Sequence, residues 1–380
     1  MKILYDYIGF AQNIGGVSRY LCEIISCMPN DVKFEIALKQ SDNVYLLNKK
    51  INGNIDSPKI TADNYLPFKF PLKNKVFGAL QRFCPSFPSA NNINKKYSIE
   101  RIKSGEFDLL HHTRFNDYFL PYIGKKPFVF TIHDLNHEIF NYNSFEQRSK
   151  KILSEKAAHI IAISENTKND LMRIYGISDD KITVIHHGGP DLIKFENKPI
   201  IDSPYLLYVG KRHGYKNFIQ TLKDVSIFIK KHPNVKFVCT GTPFTRFERR
   251  IIIDLQMQDN IIQLFVTDSQ LANLYYNALA FIYPSLYEGF GLPILEAYTY
   301  KCPVLLNNKS CFPEIAGNAA IYFDSQPNES NLPMKLFELY DMSMEQRQRL
   351  IELGTERLKL YNWKKAAQQT ANIYRNIIQK

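Results

Sequence analysis

Residues 280–297, with the sequence AFIYPSLYEGFGLPILEA, contain the most informative pattern of the chain. The short apolar run Ala280–Tyr283 predicts a strand buried on both faces, and a glycine-containing turn follows it. Pro293 is suited to the first turn of a helix. Gly289 and Gly291 keep the backbone of the turn open, so that amides near Gly291 can bind an anion at the helix N-terminus. The stretch therefore predicts a strand–turn–helix unit with a ligand site at its turn.

The same alternation of apolar runs and helical segments recurs along the chain. The runs are nearly continuous in apolar residues, which is typical of strands buried on both faces of a parallel sheet. Eleven strands are predicted on this basis: 2–8, 32–38, 107–111, 128–132, 159–163, 181–185, 205–209, 235–239, 261–266, 279–283 and 303–306. Their alternation with helices predicts an α/β fold in which helices cover both faces of a parallel sheet.

Several residues mark the ends of helices. Ser144 and Gln147 have the spacing of a capping box, which predicts a helix that opens at Ser144. Gly176 is suited to the residue that ends a helix. Asp268 is a candidate N-cap before Leu271.

The alternation breaks between residues 188 and 204, a polar stretch with several glycines and prolines. We interpret this stretch as a linker between two Rossmann-like, doubly wound domains, residues 1–190 and 204–361, that face each other across a cleft. Residues 186–189, where the linker begins, are expected to form its hinge and part of the cleft wall. The last segment, residues 362–380, predicts a helix after Asn362 that can return to cover either domain, with the first domain as the candidate.

The composition is that of a globular protein. Of the 380 residues, 45% are hydrophobic and 22% charged, which excludes a disordered or fibrous chain. No apolar run reaches the ~18 residues of a membrane-spanning helix, and a charge as early as Asp6 is unlike a signal peptide. The six cysteines show neither C-x-x-C nor metal-ligand spacing. We therefore expect a soluble, cytoplasmic protein with reduced thiols, no metal and no cofactor.

The net charge of +11 is unevenly distributed. Residues 59–103, from Lys59 to Lys103, hold nine basic and two acidic residues and so carry +7 of the total. Aromatic and apolar residues are interleaved with these charges, notably in 65–72 and at Phe83. This combination favours an anionic membrane surface over a nucleic acid. The alternative is a solvated loop whose aromatic residues pack on the domain.

Residues at the ends of first-half strands are candidate ligand contacts. Gly15 and Gly16 precede a helix, where backbone amides and the helix dipole bind anions; a glycine turn without a ligand is the alternative. His133 directly follows the fourth strand, where ligands bind in open α/β sheets. His111 ends the preceding strand and is placed, with Arg114, on the acceptor side of the same cleft. For each histidine, a purely structural role is the alternative.

In the second half, three cations follow the strand that ends at Val209. Lys211, Arg212 and Lys216 lie within six residues, after Gly210. Such cations can neutralise the charge on a departing diphosphate, and a solvated basic loop is the alternative. Neither G-x-G-x-x-G nor a Walker lysine occurs, which argues against a dinucleotide-dependent oxidoreductase and a P-loop protein.

Glu288 and Glu296 resemble the E-x7-E motif of retaining, nucleotide-sugar-dependent glycosyltransferases with the two-domain GT-B architecture, in particular the family 4 group. The resemblance covers nearly the whole chain, from Gly15 to the helix after Asn362. It implies that Glu288 contacts the donor sugar, that Glu296 binds the ribose hydroxyls, and that His133 lies beside the transferred sugar.

The resemblance also implies further contacts with the donor. They are Gly15, Gly16, Lys216, Gly291 and Leu292 for the diphosphate, Val266 for the base, and Gly210, Gly289 and Phe290 elsewhere on the donor. Many relatives have an arginine shortly before the position of Lys216. Here the nearest arginine is Arg212, and we expect it to reach the phosphates from a shifted loop.

The activity implied is transfer of a hexose, with mannose from GDP-mannose as the first expectation, to a glycan or lipid-linked acceptor in polysaccharide or lipopolysaccharide assembly. The transition state separates a positive sugar from a negative diphosphate, and the resemblance implies that the leaving phosphate takes the acceptor's proton. No D-x-D pair follows a second-half strand, so no metal is expected. A nucleotide-sugar epimerase and a non-catalytic nucleotide-sugar-binding protein are the alternatives. Peripheral attachment to the inner membrane face follows if the basic segment binds lipid; no nucleic acid partner is expected.

Overall fold

The computed structural model describes residues 1–49, 51, 60–66, 68–84, 87–196 and 198–379. Within these ranges, the strands form two six-stranded sheets and a small hairpin. The first sheet contains β1 (Lys2–Tyr5), β2 (Lys33–Ile36), β3 (Leu109–His112), β4 (Phe128–Ile132), β5 (His159–Ala162) and β6 (Ile182–Val184). The second contains β7 (Tyr205–Tyr208), β8 (Lys236–Thr240), β9 (Ile261–Leu264), β10 (Ala280–Tyr283), β11 (Val304–Asn307) and β12 (Ile321–Phe323). The hairpin pairs β13 (Ser325–Gln326) with β14 (Glu329–Ser330).

Helices connect these strands. In the first half they are α1 (Gly16–Ser26), α2 (Val44–Asn48), α3 (Ala62–Tyr65), α4 (Lys73–Phe83), α5 (Ala90–Ser104), α6 (Asn136–Ile139), α7 (Ser144–Lys156) and α8 (Glu165–Tyr175). In the second half they are α9 (Phe218–Ile229), α10 (Arg246–Asp254), α11 (Asp268–Asn277), α12 (Leu292–Thr299), α13 (Phe312–Ala316), α14 (Leu332–Tyr340), α15 (Met344–Leu358) and α16 (Trp363–Ile378). Short 3-10 turns span Ile8–Phe10, Asp179–Lys181 and Gly214–Lys216.

Both large sheets are parallel. The strand order is β2-β1-β3-β4-β5-β6 in the first and β12-β11-β10-β7-β8-β9 in the second. Each of the eleven predicted strands is present with slightly shorter or shifted bounds, and the predicted α/β fold with two doubly wound domains facing across a cleft is confirmed. Strand β12 and the β13–β14 hairpin were not predicted.

Burial on both faces explains the continuous apolar runs. In β1, Ile3 and Tyr5 belong to one hydrophobic core, whereas Leu4 belongs to another on the opposite face of the sheet. In β7, Tyr205 and Leu206 divide in the same way between two cores. A strand whose successive side chains enter two cores has no solvent face, so its sequence shows no polar alternation.

The N-caps of two helices lie one residue before the predicted caps. Helix α7 is capped by Asn143, whose side chain accepts from the amide of Glu146, rather than by Ser144. Helix α11 is capped by Thr267 in a reciprocal capping box with Gln270, so Asp268 is its first helical residue. In both cases a residue suited to the N-cap occupies the first turn, where it is also tolerated.

The last helix packs on the first domain. Asn362 caps α16, and Trp363 and Ala367 join the core that holds Ile3 and Tyr5. The indole nitrogen of Trp363 donates a hydrogen bond of 2.9 Å to the carbonyl of Gly189. This hydrogen bond joins the linker between the two domains to α16.

The basic segment is mainly helical, and its aromatic residues divide into two groups. Tyr65 and Phe87 pack against Phe77, which is buried. Phe68 and Phe83 are instead exposed, by 74% and 73%. Lys59 and Pro67 lie outside the described residues, among which no helix combines the length and apolarity needed to cross a bilayer.

Candidate active site

A cleft of about 780 Å³ lies where the carboxyl ends of strands from both sheets face each other. Most of the predicted site residues line it. From the first domain these are Gly15, Gly16, Arg114 and His133, and from the second Lys216, Glu288, Gly289, Phe290, Gly291 and Leu292. The structure thus brings together residues separated by nearly 280 positions in the chain.

Two helix N-termini open into this cleft from opposite domains. Helix α1 starts at Gly16 and helix α12 at Leu292, and both residues line the cleft. Gly291, the N-cap of α12, has φ 90° and ψ 51°, a left-handed conformation that favours glycine. The first amides of a helix lack intrahelical partners and lie at the positive end of its dipole, so an anion placed between the two termini can be bound from both sides.

An ion pair links Lys216 and Glu288, two of the predicted charged residues of the second domain. The Nζ atom of Lys216 lies 2.5 Å from Oε1 of Glu288, and both side chains are largely buried. The loops that hold them are joined by a 2.8 Å hydrogen bond from the amide of Leu286 to the carbonyl of Tyr215. Glu288 is fixed further by Ser310, whose hydroxyl accepts from its amide and donates to its carbonyl. This pair presents one cation and one anion at a fixed place in the cleft.

Lys211 is one of the three cations that follow β7, and the family resemblance assigned it no donor contact. It is exposed and lines the cleft beside Lys216. In the part of the chain that the structure describes, neither its ammonium group nor the guanidinium of Arg114 on the facing domain has an ion-pair partner. Each wall of the cleft therefore presents one cation that is not in an ion pair, and the Asp134 carboxylate lines the wall of the first domain beside Arg114.

The expectation that Arg212 reaches the phosphates is wrong for this structure. Its guanidinium is buried and pairs with Glu248 at 2.9 Å, while further hydrogen bonds go to the carbonyls of Thr242 and Pro243. It also lies over the ring of Phe244, 4.8 Å from the centroid. Arg212 faces away from the cleft because these partners satisfy its donors inside the second domain.

His133 lies on the cleft wall where the two domains touch. Burial lowers its pKa from 6.5 to about 3, so the imidazole is neutral at physiological pH. A Cβ atom on Gly289 would overlap the carbonyl oxygen of His133, so only glycine allows this contact. The carbonyl of Gly289 also accepts a 2.7 Å hydrogen bond from the hydroxyl of Ser164. The glycine turn of the second domain is thus seated directly on the first.

The prediction that His111 lines the acceptor side is wrong. His111 is an internal residue of β3 and is fully buried. Its Nε2 atom lies 2.8 Å from the hydroxyl of Thr131, and its Nδ1 atom 2.5 Å from the hydroxyl of Tyr374 on α16. Because both ring nitrogens are engaged within the first domain, His111 joins β3 to the returning helix and does not contact the cleft.

Three predicted donor contacts lie outside the cleft itself. Gly210 follows β7 with φ 111°, and Val266 packs on the second domain's core. Glu296 lines a second interdomain cavity of about 340 Å³. Its carboxylate lies 3.0 Å from Nη1 of Arg19 and accepts from the hydroxyl of Tyr275 at 3.4 Å. Arg19 belongs to α1, so this ion pair crosses between the domains.

Two facing parallel α/β domains with helix N-termini at their cleft define the GT-B architecture. Comparison with known families agrees: residues 14–189 match the model described as Glycosyltransferase Family 4, and residues 191–357 match Glycosyl transferases group 1. The chain belongs to these family 4, group 1 glycosyltransferases, and the resemblance inferred from Glu288 and Glu296 is confirmed.

Similar sequences include two O-antigen enzymes. The O-antigen chain mannosyltransferase RfbU of Salmonella typhimurium is 27% identical over 208 residues, which cover 53% of this chain and 57% of the relative. O-antigen chain mannosyltransferase B of Escherichia coli is 25% identical over 282 residues, or 68% of this chain and 72% of the relative.

Solved structures agree on the fold. A glycosyltransferase from Rickettsia africae superposes with a TM-score of 0.68 at 18% identity, covering 100% of this chain and 99% of that one. Anabaena HepE, crystallised with UDP and glucose, superposes with a TM-score of 0.69 at 15% identity and covers 99% and 100%.

Proposed function

We propose that the chain transfers a hexose from a nucleoside diphosphate sugar to an acceptor hydroxyl and retains the anomeric configuration. The observation that carries this proposal is the convergence of two helix N-termini and two lysines on one cleft. A diphosphate between the start of α1 and the start of α12 would be bound by amides and positive dipole ends from both sides.

The proposed chemistry depends on stabilising the leaving group. As the bond between the anomeric carbon and the diphosphate breaks, negative charge grows on the phosphate oxygens, and Lys211 and Lys216 would stabilise it together with the helix amides. The acceptor oxygen then bonds to the anomeric carbon on the same face, and its proton passes to the leaving phosphate, as the family resemblance implies. Glu288 would hold the donor sugar, with His133 beside it.

The nucleoside is proposed to lie near Glu296. The resemblance assigns the ribose hydroxyls to this carboxylate, and the cavity that it lines has room for a nucleoside between the domains. A GDP-mannose donor is our first proposal, supported by the names of the mannosyltransferase relatives. UDP-linked sugars are the main competitors, since HepE was crystallised with UDP and glucose.

The direct test is to follow nucleotide release from a panel of GDP- and UDP-sugars with and without acceptor. We expect acceptor-dependent release, with an α-linked donor giving an α-linked product by NMR. Interconversion of the sugar without acceptor would favour the epimerase alternative. Binding without turnover would favour the non-catalytic one.

Variants connect the activity to the cleft. Glu288→Gln keeps the side-chain shape but removes the charge that pairs with Lys216, and we expect turnover to fall about 100-fold. Glu352→Gln is the matched control, because Glu352 lies exposed on α15 and should leave turnover unchanged. Equal turnover in both variants would contradict the proposed site.

We further propose a lipid-linked acceptor and peripheral membrane binding through residues 68–83, which we term the apolar surface. Here five large apolar side chains are exposed: Phe68, Phe70, Leu72, Val76 and Phe83. Exposed cations lie among them at Lys69, Lys75 and Arg82. Exposed apolar groups beside cations are typical of proteins that dock on anionic bilayers.

Vesicle sedimentation tests the apolar surface. Binding to anionic vesicles should exceed binding to neutral ones and weaken with salt. Each cation near the surface contributes about 1 kcal/mol, so Lys69→Gln/Lys75→Gln should lower partitioning about 30-fold. Phe68→Ser and Phe83→Ser should also weaken it, whereas Phe247→Ser, 64% exposed on the second domain, should not. Indifference to lipid charge would contradict the proposal.

A further inference from the structure

His187 is a buried imidazole on the wall of the cleft. It lies in the crossing between the domains, three residues after β6, and is only 4% exposed. It lines the cleft, yet neither Nδ1 nor Nε2 makes a hydrogen bond to any residue that the structure describes. His111, by contrast, is equally buried and has both ring nitrogens engaged.

Aromatic rings surround His187. Tyr20 of α1 and Trp363 of α16 stack with it at centroid distances of 4.9 and 5.5 Å. Phe290, from the glycine turn of the second domain, lies 4.6 Å away, and His133 lies 5.9 Å away. These neighbours come from both domains and from the returning helix, so His187 occupies the point where all three meet.

The surroundings leave the imidazole neutral, with its pKa well below the usual value because of burial. A neutral imidazole has one N–H donor and one bare nitrogen acceptor. Leaving both unpaired in an apolar environment is unfavourable, and buried polar groups in native proteins are nearly always paired. At a cleft wall, the missing partner is expected to come from the ligand.

We propose that His187 hydrogen-bonds a hydroxyl of the donor's sugar and so contributes to recognition of the sugar rather than the nucleotide. A sugar hydroxyl both donates and accepts, which matches a neutral imidazole. A phosphate oxygen only accepts, and the lysines and helix N-termini already serve it. The position beside His133 is consistent with this assignment, which rests on the proposed glycosyltransferase function.

His187→Phe is the informative variant. It keeps an aromatic ring among Tyr20, Phe290 and Trp363 but removes both nitrogens, so the ligand-free protein should melt at the same temperature or higher. Titration calorimetry would compare the affinities for GDP-mannose and GDP, and for UDP-glucose and UDP. We expect the variant to bind the sugar nucleotide about tenfold more weakly while its affinity for the free nucleotide is unchanged.

Two further variants separate recognition from packing. His187→Gln retains a donor and an acceptor and should restore part of the preference for the sugar nucleotide. If His187→Phe does not fold, His187→Gln is the variant to compare with the wild type. His111→Phe, in a buried histidine away from the cleft, should lower stability without changing the preference.

An unchanged preference in His187→Phe would overturn the inference. Wild-type protein that binds none of the four ligands would overturn the proposed function and this inference with it, so the two failures are distinguishable.

Discussion

Replacing Arg212 with alanine should mainly destabilise the second domain. The side chains of Arg212 and Glu248 are 5% and 8% exposed. Truncating the arginine leaves the Glu248 carboxylate buried with one fewer partner, and two backbone carbonyls lose a donor. Contact with the ring of Phe244 is lost as well.

The size of the effect follows from the burial of the pair. Removing one partner of a buried ion pair costs about 3–5 kcal/mol, because the other charge stays in a poorly solvated site. Glu248 keeps its hydrogen bond from the amide of Thr245, so we expect the lower end, about 3 kcal/mol. In a domain of this size that corresponds to a fall in melting temperature of about 6–12 °C.

Thermal and urea unfolding would measure this loss, with steady-state transfer rates measured well below the melting temperature. Arg212→Ala should retain most of its turnover per folded molecule. Arg212→Ala/Glu248→Ala should lose less stability than the sum of the single variants, since it leaves no orphaned charge. An unchanged melting temperature together with abolished turnover would contradict a structural role for Arg212, because the side chain would then have to leave Glu248 and reach the donor.

Three further predictions concern single positions. Lys211→Met should lower turnover about 100-fold and change the free energy of unfolding by less than about 0.5 kcal/mol; wild-type rates would exclude Lys211 from the site. Gly289→Ala should lower the melting temperature by separating the glycine turn from His133, and an unaltered melting curve would contradict that contact. Burial lowers the pKa of His111 to about 3. Below pH ~6.5 the unfolded chain therefore binds a proton that the native state does not bind. The stability that is present above that pH is lost on acidification. In urea unfolding between about pH 5.5 and 4, the free energy of unfolding of the wild type should fall with pH more steeply than that of His111→Phe, by about 1.4 kcal/mol per pH unit. Identical slopes for the two proteins would contradict this prediction.

Most of the fold follows from local sequence because the strands of both sheets are buried on two faces. Continuous apolar runs identify such strands, and each of the eleven predicted ones is present. Strand β12 was not predicted because it spans only Ile321–Phe323 at the edge of its sheet. Such a short run after small residues gives little periodic signal.

A cleft residue could be predicted where its position depends on its own strand or helix, and not where it depends on a partner distant in the sequence. Gly15, Gly291 and His133 were predictable because they directly follow strands or open helices, and the carboxyl ends of parallel strands meet at one edge. The role of Arg212 was not predictable, because its partner Glu248 lies 36 residues away. Sequence alone does not tell which of two adjacent cations, Lys211 or Arg212, faces the cleft.

The misplacement of His111 has a similar cause. A strand covered on both faces buries every side chain, so a histidine at its end looks the same whether it points to a ligand or to a core. The partner that decides the matter is Tyr374, 263 residues further along the chain. Only the return of α16 to the first domain explains why this position holds a histidine.

A crystal structure of the protein soaked with GDP or UDP would show where the diphosphate binds. We expect diphosphate density in the cleft, within hydrogen-bonding distance of the amides of Gly291 and Leu292 and of the Lys216 ammonium group, with the start of α1 facing it. Diphosphate bound elsewhere, with no ligand at either helix N-terminus, would exclude the proposed donor site.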